Sequence, residues 1–416
     1  MIFTNHDRTI LRHLIDQKVA IASQPIQEKN RAMWVRLNRL EPVKPMVWIN
    51  EVCWPELAAE EELKIQTRDP FCQQLETELR RELYQWHHFP ADMVVENIIY
   101  SPIVICDSGF GIEEHSKKIH AYDGAVASRQ FEPTIKEEKD IEKIQMPELT
   151  IDHEQTEQQL AWRTDLFGDL IPIQKRGVPG RWFAPWDELI RWWGVQDALL
   201  DLVMRPEMVH AAMDRLVTAY LKRLDQWETL SVLALNNTPI RVGSGGYGCT
   251  DELPPDSFDP SHICAKDLWG CATAQIFSEV SPQMHEAFAL QYERRWLDRF
   301  GLVYYGCCEP LHNKIDMLKQ IPNLRKISTS PWANVAKTAE KTEGHYVISF
   351  KPNPAFLAEK TCDIDAACMY LQNAIEQANK CPMEIILKDI STIRFDPKRL
   401  SDWAKMASGI TAQYVG

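Results

Sequence analysis

Two thiols and a carboxylate stand in a row at Cys307-Cys308-Glu309, directly after the apolar, aromatic run Leu302 to Tyr305 and the break at Gly306. Sulfur and oxygen donors together suit a catalytic zinc, which takes three protein ligands from thiolate, imidazole and carboxylate and keeps one position open. Neighbours on an extended chain point to opposite sides. The three therefore cannot all face one ion, and one thiol with Glu309, or with Glu51 or Asp389 from another strand end, is the workable set. Zinc at Cys307, Cys308 and Glu309 is the expectation. Buried free thiols acting as small hydrophobes are the plain alternative, and they are the default for the other cysteines, such as Cys53, Cys106, Cys362 and Cys368.

The same pattern, an apolar run closing on polar groups, recurs along the chain. Met46 to Asn50 ends on Glu51, and Thr238 to Val242 ends on Gly243-Ser-Gly-Gly-Tyr247. Lys326 to Ser330 leads to Trp332, Tyr346 to Phe350 to Lys351-Pro-Asn353, and Met383 to Leu387 to Lys388-Asp389. At the C-terminal ends of parallel strands such groups converge on one rim, where the loops are free to vary and the sheet fixes their roots. The expected catalytic residues are Glu51, Glu309, Lys388 and Asp389. The expected substrate-binding residues are Gly245, Tyr247, Tyr305, Ser330, Trp332, Lys351 and Asn353. The glycine run lacks the Gly-Lys-Ser/Thr ending of a phosphate loop. His262-Ile-Cys264, with Cys271 beyond it, has half the spacing of a zinc site and no second pair.

Positioning these groups requires a strand before each of them. Besides the runs above, Val94 to Cys106 and Leu170 to Lys175 read as strands, giving eight, each preceding a helix. The helices are expected at 56–86, 151–164, 185–227 in two or three pieces, 264–279, 282–300, 310–320, 332–341, 363–379 and 397–407. Continuously apolar strands alternating with helices indicate a parallel sheet covered by helices. Eight units suit a (β/α)8 TIM barrel, with a helical N-terminal arm over 1–40, the barrel over 41–416 and an inserted loop region at 107–148. The 416 residues carry a net charge of −13. An acidic surface argues against nucleic acid and anionic membranes as partners. No apolar run approaches the ~20 residues of a membrane span, and no signal peptide opens the chain, so a cytoplasmic protein is expected.

The blocks Tyr-Tyr-Gly-Cys-Cys-Glu-Pro-Leu (304–311), Ser-Thr-Ser-Pro-Trp (328–332) and Phe-Lys-Pro-Asn-Pro (350–354), with Val47-Trp48-Ile49, resemble the uroporphyrinogen decarboxylase superfamily in its divergent, corrinoid-dependent methyltransferase-like branch. The resemblance covers about residues 40–410. It implies a TIM barrel with the pocket at the C-terminal rim, a zinc, and a corrinoid carried by a partner protein. The decarboxylases of that superfamily place arginines after the first strand to hold a polycarboxylate. Here Asn50-Glu51-Val52-Cys53-Trp54 stands there, an acid in place of a base. The methyltransferases bind zinc through His-X-Cys and a later Cys. Here Tyr305-Gly306-Cys307 and Lys388-Asp389 occupy those places, so only part of that pattern is present.

The resemblance thus implies methyl transfer between a small substrate, such as a methyl ether, and the partner's corrinoid. A homodimer is allowed, though no motif in the sequence specifies the assembly. A decarboxylase or other lyase on the same fold is the alternative, and a non-catalytic binding barrel the third reading.

Overall fold

The computed structural model describes residues 3–120 and 126–414. The fold is mixed α/β around a mostly parallel sheet. The strands of the described residues are β1 (Met46–Ile49), β2 (Ile99–Pro102), β3 (Ile105–Asp107), β4 (Ser116–His120), β5 (Val126–Phe131), β6 (Leu149–Ile151), β7 (Ile173–Arg176), β8 (Trp269–Ala272), β9 (Leu302–Tyr305), β10 (Leu324–Thr329), β11 (Val347–Phe350) and β12 (Met383–Leu387). Six of them form one parallel sheet in the order β1-β12-β11-β10-β9-β8. The first and last strands of the chain's core are therefore neighbours, with Ile49 opposite Leu387.

The expected closed barrel is not seen as a continuous ladder. Among the described residues, β2 and β7 pair in a separate parallel ribbon, β3 pairs with β6, and β4 pairs with β5 in a hairpin within the 107–148 insertion. A single parallel bridge, Val178 with Leu233, lengthens the ribbon. Beyond it the Asn236 side chain takes the part of a strand: its amide donates to the Trp269 carbonyl at 3.0 Å and its oxygen accepts from the Trp269 N–H at 2.9 Å.

Alternation along the strands explains the core. Val47, Ile49, Ile348, Phe350, Ile385 and Leu387 pack outward against the helices Ile364–Gln377 and Lys398–Thr411. The intervening residues face inward and mix apolar with polar and aromatic side chains: Ile386 and Val347 join Tyr304, Lys326, Ser349 and Glu384, all fully buried. Lys326 and Glu384 form an ion pair at 2.8 Å with no exposure on either side.

Two expectations are corrected. Thr238 to Val242 is not a strand; the chain folds back on itself there, Val242 donating to the Gly246 carbonyl, and only an isolated bridge joins Arg241 to Tyr247. The missing strand is β8, four buried residues inside a segment whose length and flanks read as a helix. The folded-back loop fills the sheet's inner side. A Cβ on Gly245 would lie 2.4 Å from the Tyr304 ring and 2.5 Å from the Glu384 carboxylate, so only glycine passes. Tyr247 packs at 4.5 Å on Trp48 and 5.2 Å on Trp34. Trp34 belongs to the second of two N-terminal helices, α1 (Asn5–Ala22) and α2 (Pro25–Asn38), into which the 1–40 region divides at Pro25. Among the described residues no helix is long and apolar enough to cross a membrane.

Candidate active site

At the C-terminal ends of β9, β12 and β1 the backbone turns sharply three times. Gly306 holds φ 99°, Asp389 φ 55° and Glu51 φ 55°. A side chain at 306 would meet Leu311 at 2.4 Å and Ser328 at 2.9 Å. For the two acids the left-handed conformation costs roughly 1–3 kcal/mol each, a kind of strain that gathers at functional sites. The turns aim Glu51, Cys307, Cys308, Lys388 and Asp389 into one cavity of about 560 Å³, within the size range of small-molecule sites.

Lys388 is the centre of its charges. The ammonium, almost fully buried, lies 2.6 Å from Asp389 and 3.6 Å from Glu51, and Glu51 pairs with Arg241 at 2.7 Å. Burial works against the Lys388 charge, but the adjoining thiols and Asp389 outweigh it and raise its pKa. Burial likewise tends to raise the Glu51 carboxyl, and Arg241 and Lys388 overcome that and lower it. The site therefore holds its ions as ions.

The thiols differ from each other. Cys307 is buried and Cys308 exposed, with the sulfurs 3.4 Å apart. Cys307 Sγ lies 4.0 Å from Lys388 Nζ, and Cys308 Sγ 3.9 Å from Asp389 Oδ2. The hydrogen bond between the two sulfurs pulls the Cys308 pKa down against burial and pushes that of Cys307 up; Lys388 adds to the lowering at Cys308 and Asp389 opposes it. Cys307 is fixed from behind: Ser328 donates to its carbonyl at 2.6 Å, and Lys351 donates to Ser328 at 2.9 Å. Burial lowers the Lys351 pKa to about 7.

Glu309 does not join the thiols. Its carboxylate is fully buried, accepting from the Thr273 hydroxyl at 2.7 Å and the Cys307 N–H at 2.9 Å. Among the described residues, no three His, Cys, Asp or Glu side chains are grouped to hold a metal ion. A cation is already present where zinc would have to sit, because the Lys388 ammonium contacts both Asp389 and the Cys307 sulfur. The donor set does not fit zinc.

The other expected binding residues lie away from this cavity. Tyr305 faces the helices, donating to Glu293 at 2.6 Å and contacting His285 at 2.8 Å. Tyr247 and Gly245 belong to the packed inner loop, Ser330 is buried, and Lys351 stands beneath Cys307. Asn353 accepts from the Ala355 N–H at the next helix start, and Trp332 is 72% exposed.

Sequence reasoning missed Arg181, Trp182, Arg241 and Gln275, which also line the cavity, as does Cys271, read from sequence only as part of half a zinc site. Arg241, a charge inside the apolar run Pro239 to Val242, was the readable signal. Trp182, Gln275 and Cys308 are shared with a second cavity of about 590 Å³, walled by Ala184, Ile190 and Tyr220. A larger cavity, about 660 Å³, lies at the opposite ends of β1 and β12 beside Pro42, Pro45 and Pro382, away from the convergent charges. No known family model and no curated protein matches the chain.

Proposed function

We propose that the chain is a methyltransferase that takes the methyl group of a small aryl methyl ether for a corrinoid carried by a partner protein, on an eight-stranded barrel of which the six-stranded sheet and the β2-β7 ribbon are two arcs. One observation carries the reading: the Lys388 ammonium, its pKa raised by its neighbours, is held by two carboxylates in a cavity at the strand C-termini. Breaking an ether O–CH3 bond leaves negative charge on the oxygen, and a fixed N–H donor aimed at that charge lowers the barrier. Lys388 is that donor, and Glu51 and Asp389 hold it in place. The adjoining cavity, with Tyr220, Ile190 and Trp182, receives the aromatic ring. The corrinoid supplies the cobalt to which the methyl group passes; it stays with its carrier, and no Asp-X-His-X-X-Gly corrinoid motif occurs in this chain. Mixing the protein with cob(I)alamin and aryl methyl ethers tests this through the appearance of the methylcobalamin spectrum.

A lyase is the second reading, favoured by the protonated Lys388 between its two carboxylates, whose proton can pass to a carbanion. It predicts CO2 release from a carboxylate substrate and no change at cobalt.

A further inference from the structure

Zinc does not fit the adjacent cysteines, and their geometry suits another reaction of thiols. Their sulfurs are 3.4 Å apart, a non-bonded contact, and a disulfide bond would need them about 2.05 Å apart. The outer sulfur is the more accessible: Cys308 is exposed and lines both cavities, whereas Cys307 is buried and lines only the first. An exposed, acidified thiol backed by a second one is the arrangement found in thiols that sense oxidants.

We propose that Cys307 and Cys308 form a hydroperoxide-reactive site, Cys308 being the thiol oxidised first and Cys307 the one that resolves it to a vicinal disulfide. The Cys308 sulfur attacks the terminal peroxide oxygen, the O–O bond breaks, and the departing oxygen leaves as water or alcohol after taking a proton. Cys308 is then a sulfenic acid. The Cys307 sulfur attacks it, the S–S bond forms as the S–O bond breaks, and hydroxide leaves as water with the Cys307 proton. Two thiols lose two hydrogens, and one hydroperoxide becomes water and water or an alcohol. Lys388, 4.0 Å from the Cys307 sulfur, favours the thiolate through its charge, while Asp389, 3.9 Å from Cys308, opposes it more weakly.

Such a bond would also be easy to reduce. Consecutive Cα atoms lie about 3.8 Å apart, below the usual disulfide span of about 4.4–6.8 Å, so the ring is strained and its potential more oxidising. The site is thus suited to reversible oxidation and not to permanent cross-linking. It stands apart from methyl transfer, because its test needs neither corrinoid nor ether.

The intact protein is treated with one equivalent of hydrogen peroxide, alkylated with N-ethylmaleimide, digested without reductant and mapped by mass. The peptide holding Cys307 and Cys308 is expected to lose two hydrogens and both alkyl groups, and dithiothreitol to restore them. The exposed, solitary Cys106 is expected to stay alkylated at that dose. In Cys307→Ser, dimedone should trap a sulfenic acid at Cys308. In Cys308→Ser, oxidation at 307 should fall at least tenfold. The wild-type protein decides the matter without either variant: if both thiols remain alkylated, or Cys308 passes to sulfinic acid without a disulfide, the proposal is wrong.

Discussion

Glu51 and Asp389 each stand two residues past the end of neighbouring strands, share a left-handed φ of 55°, and are joined by the Asp389 N–H donating to Glu51 at 3.4 Å. The strain is local to the backbone and separable from the carboxylates. Asp389→Gly and Asp389→Ala both lose the charge, and only Ala keeps a Cβ where φ is positive. The glycine variant should be the more stable by roughly 1 kcal/mol, read from urea unfolding. Equal stabilities would mean that the backbone at 389 is not held in this conformation.

Cys308 owes its acidity first to the Cys307 thiol and then to Lys388. The pH midpoint for its alkylation by iodoacetamide should therefore move up in Cys307→Ala, move up less in Lys388→Met, and stay near wild type in Lys388→Arg. A midpoint unmoved in Cys307→Ala would contradict the thiol-to-thiolate hydrogen bond.

Much of the sheet was legible because buried parallel strands are continuously apolar: Met46–Ile49, Leu302–Tyr305, Val347–Phe350 and Met383–Leu387 lie where their composition placed them. Composition misled elsewhere. Trp269–Ala272 holds a glycine and no β-branched residue and so does not signal a strand, and Pro239 to Val242 is β-branched enough to suggest one, although the glycines after it fold the chain back. Convergence of Glu51, Cys307, Cys308, Lys388 and Asp389 followed from counting strand ends. The direction of Glu309 did not, because it depends on Thr273, the residue just past a strand the sequence hid.

The inner face of the sheet carries a test of its own. Glu384 accepts from Lys326, from Ser349 at 2.6 Å and from the Gly246 N–H at 2.9 Å. Burial tends to raise its pKa, and the Lys326 charge outweighs this and lowers it. Lys326→Met leaves a buried carboxylate without its cation and should cost about 3–5 kcal/mol. The double variant Lys326→Met with Glu384→Gln should recover at least half of that loss in urea unfolding. Additive losses would argue against direct coupling.

Glu293, fully buried between the sheet and the helices, is pushed up to about 8 by burial, against the hydrogen bond from Tyr305. Below about pH 4.5 the folded and unfolded states both hold its proton and the residue leaves stability unchanged. Between there and about pH 8 the unfolded chain releases the proton and the folded chain keeps it, so stability falls as pH rises, and above pH 8 the loss is complete. Glu293→Gln should match wild type below about pH 4.5 and exceed it by roughly 4 kcal/mol at pH 8. Parallel stability curves for the two proteins would refute the neutral, buried carboxyl.

The most direct test of the proposed chemistry is the rate at which cob(I)alamin and an aryl methyl ether give methylcobalamin, followed at the cobalt absorption bands in wild type, Lys388→Arg and Lys388→Met. The account predicts conversion in wild type, a reduced rate with arginine, and a loss of at least a hundredfold with methionine, the magnitude of one lost charge-stabilising donor. An unchanged cobalt spectrum with wild type across a panel of ethers, or equal rates in wild type and Lys388→Met, would contradict it.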